Sequence, residues 1–322
     1  MRPNLPFARV LGQPPALRPG DAVAVVSPAG PVDREKLERG LARLEELSLR
    51  PRLGRHALDR EGYLAGSDDA RLSDLEEAIA DPGTRAILFS RGGYGLTRIV
   101  DRVDLSPLLA APKIVMGFSD ITALHLALAA QADLASFYGP MVASNLGKEV
   151  PHARTMTALR IALGLDAGPL LPIDAGSGIR FTGAPARVTA PLAGGCLSLL
   201  VASLGTPFEV ATAGAILFWE DVGEDLYRID RMLTHLRLAG KLDDLAGMIA
   251  GVPIGITRER REGAVDDLTP FLESWLASSL GRVSFPVVTQ FPCSHGEPCV
   301  ALPLGGLVTI DGAAQRVEIA YR

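Results

Sequence analysis

Asp21-Ala22-Val23-Ala24-Val25-Val26-Ser27-Pro28-Ala29-Gly30-Pro31 is the stretch whose reading decides the fold class. Its apolar residues form a short run without alternation, the pattern of a strand buried on both faces of a parallel sheet. Pro28-Ala29-Gly30-Pro31 is the turn that follows. Asp33 can then cap a helix on which Leu37, Leu41, Leu44 and Leu47 recur at helical spacing. The alternation continues with a helix near Ala70 to Ala80, a buried strand Ala86–Ser90, a glycine-rich turn and a third strand Lys113–Gly117. Strands alternating with helices imply an α/β fold with a doubly wound parallel sheet, whose ligands gather at the carboxyl ends of its strands.

At 322 residues and 48% hydrophobic content the chain exceeds the usual span of one core, so two domains are expected. The N-terminal domain, a flavodoxin- or amidotransferase-like α/β unit, is expected over 18–144. From 145 to 187 the text changes: Gly164, Gly168, Pro169, Pro172, Gly176, Gly178, Gly183 and Pro185 surround a single helix-like segment, His152–Leu163. That composition suggests a crossover linker. The C-terminal domain, 188–322, opens a second α/β pattern. It has strands at Ala215–Trp219 and near Met248–Val252, helices at about Leu226–Ala239 and Thr269–Leu280, and β-rich text to Tyr321.

A net charge of −5 and the lack of a dense Lys/Arg tract argue against nucleic acid or an anionic membrane as partner and favour a small molecule or peptide. No apolar run is long enough to span a bilayer, and Met1–Gly20 does not resemble a secretory signal, so cytoplasmic residence is expected. Cys196, Cys293 and Cys299 are too few for a stapled secreted domain. Cys293 and Cys299 flank His295, but this leaves a structural zinc site one ligand short, so no metal is expected.

Three segments could carry chemistry. Ser119, in Gly117-Phe118-Ser119-Asp120, lies where a tight turn between a buried strand and a probable helix, Ile121–Ala130, pushes a side chain out of the sheet. The helix N-terminus beside it offers N–H groups to a developing oxyanion. The bland alternative is that Ser119 or Asp120 caps the helix. Ser90-Arg91-Gly92-Gly93-Tyr94-Gly95 lets the backbone approach a ligand closely and could supply a second oxyanion donor, or be a phosphate-binding turn or a mere loop. It lacks a Walker lysine and the dinucleotide glycine spacing. Of the five histidines, His125 points away from Ser119 on the same helix, and His235 sits within an amphipathic helix. His56 and His152 lie in loop-like contexts, and His295 lies in a loop after an apolar strand, where catalytic groups concentrate. Glu220 emerges from the end of the strand Ala215–Trp219, too early to cap the next helix.

Together these segments resemble the L,D-carboxypeptidase family of serine peptidases, which includes muramoyl-tetrapeptide carboxypeptidases and microcin C self-immunity peptidases. The likeness spans nearly the whole chain. It rests on Val26–Pro31, Ser90–Gly95, Gly117–Thr122, Tyr138-Gly139-Pro140-Met141-Val142, Leu217–Glu224 and Ser294-His295-Gly296, in that order. The resemblance implies a triad of Ser119, His295 and Glu220, with the serine from the first domain, the other two from the second and the active site between them. It also implies oxyanion donors at the N–H groups of Gly93 and Asp120. Arg91, Gly92 and Tyr94 are candidate substrate contacts, although a surface ion pair for Arg91 and a packed ring for Tyr94 remain open. No metal or organic cofactor is implied, and family members are commonly homodimers.

The implied reaction is hydrolysis of the amide between meso-diaminopimelate and a terminal D-alanine in murein tetrapeptides during cell-wall recycling. The alternatives are a microcin C-type peptidase cleaving a peptidyl-nucleotide analogue and a catalytically silent muropeptide-binding protein. Two positions depart from the family pattern: Cys196, where a polar residue such as Asn is expected, and Ser294, where glycine often precedes the histidine. Both bear on substrate contacts rather than on the triad.

Overall fold

The computed structural model describes residues 8–166, 173–259 and 262–321; Gly168, Pro169, Pro172 and the first seven residues of the N-terminal stretch lie outside them. The chain divides into two compact units. One comprises Leu11–Gly168 with Pro298–Leu302, the other Met1–Val10, Pro169–Glu297 and Pro303–Arg322.

The first unit is built on parallel strands β1 (Ala22–Val26), β2 (Arg50–Leu53), β3 (Thr84–Phe89), β4 (Ile114–Gly117) and β5 (Ser136–Tyr138). Its helices are α1 (Arg34–Glu46), α2 (Asp68–Ala80), α3 (Ser106–Ala110), α4 (Thr122–Ala127) and α5 (Ala153–Leu163). β1 is buried along its whole length, as its unbroken apolar run requires. Asp33 caps α1 by accepting the Lys36 N–H at 3.0 Å, and Leu37 and Leu44 face the core. The strands lie side by side in the order β5-β4-β3-β1-β2. Succession reverses between β1 and β3, which makes the carboxyl ends of these two strands a topological switch point.

Two buried devices hold the loops at that point. Ser27 Oγ donates to Ala57 O at 2.7 Å, so the 2.6 Å bond between Ser27 and Ser90 is donated by Ser90. Arg71 of α2, 1% exposed, bonds the carbonyls of Pro28 and Gly95 as well as the Asp68 carboxylate. One guanidinium thus ties the turn after β1 to the turn after β3.

The helix expected over Ile121–Ala130 is three different turns. A 3₁₀ turn spans Ser119–Ile121, α4 follows, and a π turn spans Leu128–Ala132 before Asp133 takes a left-handed conformation. The chain is wound tight where it leaves β4 and loosens where the Leu134 N–H reaches back to Leu128 O.

The second unit contains β6 (Ile173–Asp174), β7 (Arg180–Gly183), β8 (Arg187–Cys196), β9 (Ile216–Glu220), β10 (Gly247–Gly251), the small hairpin β11 (Thr257–Glu259) and β12 (Glu262–Ala264), and β13 (Pro286–Phe291). β15 (Leu307–Asp311) and β16 (Arg316–Ile319) complete the strands, β14 (Leu302–Leu304) being instead the edge strand beside β5 in the first sheet, and the helices are α6 (Leu197–Ala202), α7 (Leu226–Leu238) and α8 (Thr269–Leu280). An eight-stranded sheet has the order β6-β16-β15-β8-β9-β10-β13-β7. Its centre, β8 to β13, is parallel, and its flanks are antiparallel.

The glycine- and proline-rich stretch from 145 to 187 is more than a connector. It supplies α5 to the first unit, while β6 and β7 form the two edges of the second sheet. Edge strands of two to four residues need little apolar text, which is why composition hides them. Among the described residues, no helix is long and apolar enough to cross a membrane.

Replacing Arg71 with Met removes a buried cation from Asp68 and leaves two carbonyls without this donor. A loss of about 3 kcal/mol is expected from the denaturant midpoint of the first unit's transition. An unchanged midpoint would contradict the clamp.

Candidate active site

Ser119 follows β4 at the point where extended backbone must become helical within two residues. Phe118 is still extended, and Ser119 itself has φ +64°, the left-handed region. For a non-glycine residue this costs about 1–2 kcal/mol, so neighbouring bonds must hold it. They come from β5 and α4. The Ser119 N–H donates to the Tyr138 hydroxyl at 3.0 Å, and Gly117 O accepts from the Gly139 N–H at 3.2 Å and from His125 Nε2 at 2.9 Å. Because a carbonyl only accepts, Nε2 carries the proton, and Nδ1 must accept from Ser136 Oγ at 2.8 Å. Burial pushes the His125 pKa down to about 4, which keeps the ring a neutral, buried strut beneath the turn. Its position on α4, facing away from Ser119, hides this role in the sequence.

The glycine turn lies against the same serine. A Cβ at Gly92 would stand 2.9 Å from Ser119 Cβ and 3.1 Å from its Oγ, and Gly93 has φ +124°. Only glycine allows the backbone this approach and this conformation. The turn is pinned from β1, since the Gly30 N–H donates to Gly92 O at 3.2 Å.

Asp120 does not cap the helix. Its carboxylate is 1% exposed and accepts the Leu96 N–H at 2.8 Å, anchoring the far side of the glycine loop. Burial pushes this acid up to about 6, against the opposing bond from Leu96. The Asp120 N–H stands in the first helical turn, where N–H groups have no carbonyl behind them.

In the second unit, Glu220 ends β9 fully buried, paired in register with Cys196 of β8. Its Oε2 accepts from His295 Nδ1 at 2.8 Å. A carboxylate can only accept, so Nδ1 carries the proton, which in the neutral ring places the lone pair on Nε2. The room for Glu220 comes from Gly251 at the end of β10, where a Cβ would meet Glu220 Cβ at 2.7 Å and Cys293 O at 2.6 Å. Ser294 shapes the histidine loop by accepting the Gly296 N–H at 3.2 Å.

Asp221, absent from the sequence reading as a site residue, is an organiser. It accepts from the N–H groups of Ser198 at 2.8 Å and Val222 at 2.9 Å, and the Cys196 thiol donates to it at 3.6 Å. Burial, then the charges of Asp221 and Glu220, push the Cys196 thiol up, so it stays a protonated donor. Its neighbourhood of two carboxylates would have marked it only with the pairing of β8 and β9 known.

Among the other candidates, Arg91 donates to backbone carbonyls, Gly92 O at 3.2 Å and Pro31 O at 3.3 Å. Tyr94 is 48% exposed, its ring tilted 5.9 Å from that of Tyr63. His56 pairs with Asp59, His152 caps α5 by accepting the Arg154 N–H, and His235 is exposed on α7. Trp219 is buried in the core of the second sheet.

Comparison with known proteins agrees over both units. Residues 23–139 match the LD-carboxypeptidase N-terminal domain, and residues 189–310 match the LD-carboxypeptidase C-terminal domain. The chain is 37% identical over 314 residues to the probable murein peptide carboxypeptidase of Bacillus subtilis (strain 168), covering 95% of this chain and 94% of that one. It is 32% identical over 294 residues to the murein tetrapeptide carboxypeptidase of Pseudomonas aeruginosa, covering 90% and 93%. Its fold is shared with MccF, solved in complex with glutamyl sulfamoyl guanosine, at a TM-score of 0.83 and 22% identity over 97% of this chain and 98% of that one.

The neutral strut has a consequence in pH. Protons bind the unfolded imidazole near 6.5 and the folded one only near 4, so the contribution of His125 to stability is complete above pH 6.5 and is lost as pH falls through 4. In thermal melts across this range, His125→Gln should weaken the wild-type decline. An equal slope in both proteins would contradict neutral burial.

Proposed function

The chain belongs to the LD-carboxypeptidase family of serine carboxypeptidases, and we propose that it removes the terminal D-alanine from meso-diaminopimelate in murein tetrapeptides, with Ser119 as nucleophile, His295 as base and Glu220 as its orienter. The observation that carries this reading is the 2.8 Å bond from His295 Nδ1 to the buried Glu220, which fixes the tautomer a serine needs in its base. The left-handed turn at Ser119, pressed against Gly92, supports it.

In this mechanism Ser119 Oγ attacks the amide carbonyl while His295 Nε2 takes its proton. The Oγ–C bond forms, and the carbonyl oxygen becomes an oxyanion held by the N–H groups of Gly93 and Asp120. His295 then gives its proton to the amide nitrogen, the C–N bond breaks and D-alanine leaves. A water deprotonated by His295 cleaves the resulting ester and returns the proton to Ser119. Glu220 stabilises the imidazolium in both halves. Arg91, Gly92 and Tyr94 are proposed to meet the substrate.

A small peptide substrate accords with the net charge of −5. Cytoplasmic recycling and a homodimeric state belong to the same proposal, on the family resemblance. The MccF likeness, at 22% identity, speaks to fold. The peptidase reading is therefore preferred over cleavage of a nucleotide conjugate, and the named relatives favour it over a silent binding protein.

Release of D-alanine from a muramyl tetrapeptide should be abolished to a residual rate in Ser119→Ala and fall by about 10⁴-fold in Glu220→Gln. Binding of the tetrapeptide without turnover by the wild type would contradict the proposal.

A further inference from the structure

Tyr138-Gly139-Pro140 is a family-like motif that the mechanism above leaves without a task, and its first residue touches the backbone of Ser119. Tyr138 is fully buried at the end of β5, in register with Gly117 of β4. Its ring is held between those of Phe118, at 6.2 Å, and His125, at 6.0 Å. Its hydroxyl accepts the Ser119 N–H at 3.0 Å, and the next residue, Gly139, bonds Gly117 O. β5 thus grips the turn on both sides of Phe118.

We propose that Tyr138 is a positioning residue for the reaction: by accepting the Ser119 N–H it holds the left-handed turn and commits that N–H away from the reacting carbonyl, leaving the elbow's oxyanion donor at Asp120. Three observations converge on this. Ser119 has φ +64°, which a serine keeps only when its surroundings over-determine it. Its N–H, were Tyr138 a phenylalanine, would lose this acceptor in a part-buried site and the turn would relax to recover one. Gly92 stands so near the Ser119 side chain that a Cβ there would overlap it, so a small relaxation displaces nucleophile and glycine turn together. Misplacement of about 1 Å near a reacting group can cost about 10²-fold in rate.

The inference rests on Ser119 being the nucleophile, and the test separates the two. A fluorophosphonate probe is attacked by Ser119 Oγ, an O–P bond forming as fluoride leaves, without any contact to a peptide. Labelling of Ser119 and D-alanine release are measured together in wild type and Tyr138→Phe. The expected result is a labelling rate and kcat lowered about 10- to 100-fold in the variant, with KM and melting temperature nearly unchanged. A merely structural tyrosine would lower the melting temperature or the fraction of enzyme labelled, but not the rate per labelled site. Equal rates in the two proteins would overturn the positioning role alone, while a wild type that is not labelled at Ser119 would overturn the nucleophile on which it rests. Amide hydrogen exchange of the wild type tests the bond itself whether or not the variant folds: Ser119 protected by 10²-fold or more supports it, and exchange at the rate of a free amide overturns it.

Discussion

A serine with left-handed backbone is the constraint around which the first unit is arranged. Ser119 would fall back to an ordinary conformation if the turn between β4 and α4 were free, because φ +64° is unfavourable for any residue with a Cβ. The turn is not free. β5 holds it through Tyr138 and Gly139, α4 holds it through His125, and the glycine turn after β3 presses on its side chain. Each of these is held in turn: His125 by Ser136, the glycine loop by Gly30, Arg71 and the Asp120 carboxylate. The strain is local, but the bonds that sustain it run through the carboxyl ends of β1, β3, β4 and β5.

The second unit makes a different kind of device by the same means. Here the central parallel strands β8, β9 and β10 bring Cys196, Glu220 and Gly251 to the same end of the sheet. Glu220 is buried and bonded to His295, which commits the imidazole to one tautomer. Beside it, Asp221 spends its oxygens on two backbone N–H groups and the Cys196 thiol. Two adjacent carboxylates thereby do separate jobs, one holding an imidazole and the other tying two loops together.

Much of the architecture was legible because its decisive strands are short unbroken apolar runs and its helices carry a clear apolar stripe. β1, β3, β4 and β9, with α1, α5, α7 and α8, stand close to where pattern puts them. What escaped was text with neither property. β2 is Arg50-Pro51-Arg52-Leu53, half of it charged, and becomes a strand only through its parallel register with β1. β6 and β7 hide in glycine-rich sequence, and the expected single helix after Ser119 is three kinds of turn because packing around the elbow overrides propensity. At the site, strand ends and glycines were visible as candidates. The supporting groups were not: Arg71, His125 and Tyr138 act through bonds to backbone carbonyls and N–H groups that only the fold brings near.

The proposed mechanism requires Ser119 to be covalently acylated during turnover. Its most direct test is an acid quench of the enzyme in the presence of excess murein tetrapeptide, followed by proteolysis and mass spectrometry. A peptide containing Ser119 should then be heavier by the acyl group left after loss of D-alanine, with no such adduct in Ser119→Ala. Turnover with the adduct on another residue, or turnover in Ser119→Ala at the wild-type rate, would contradict it.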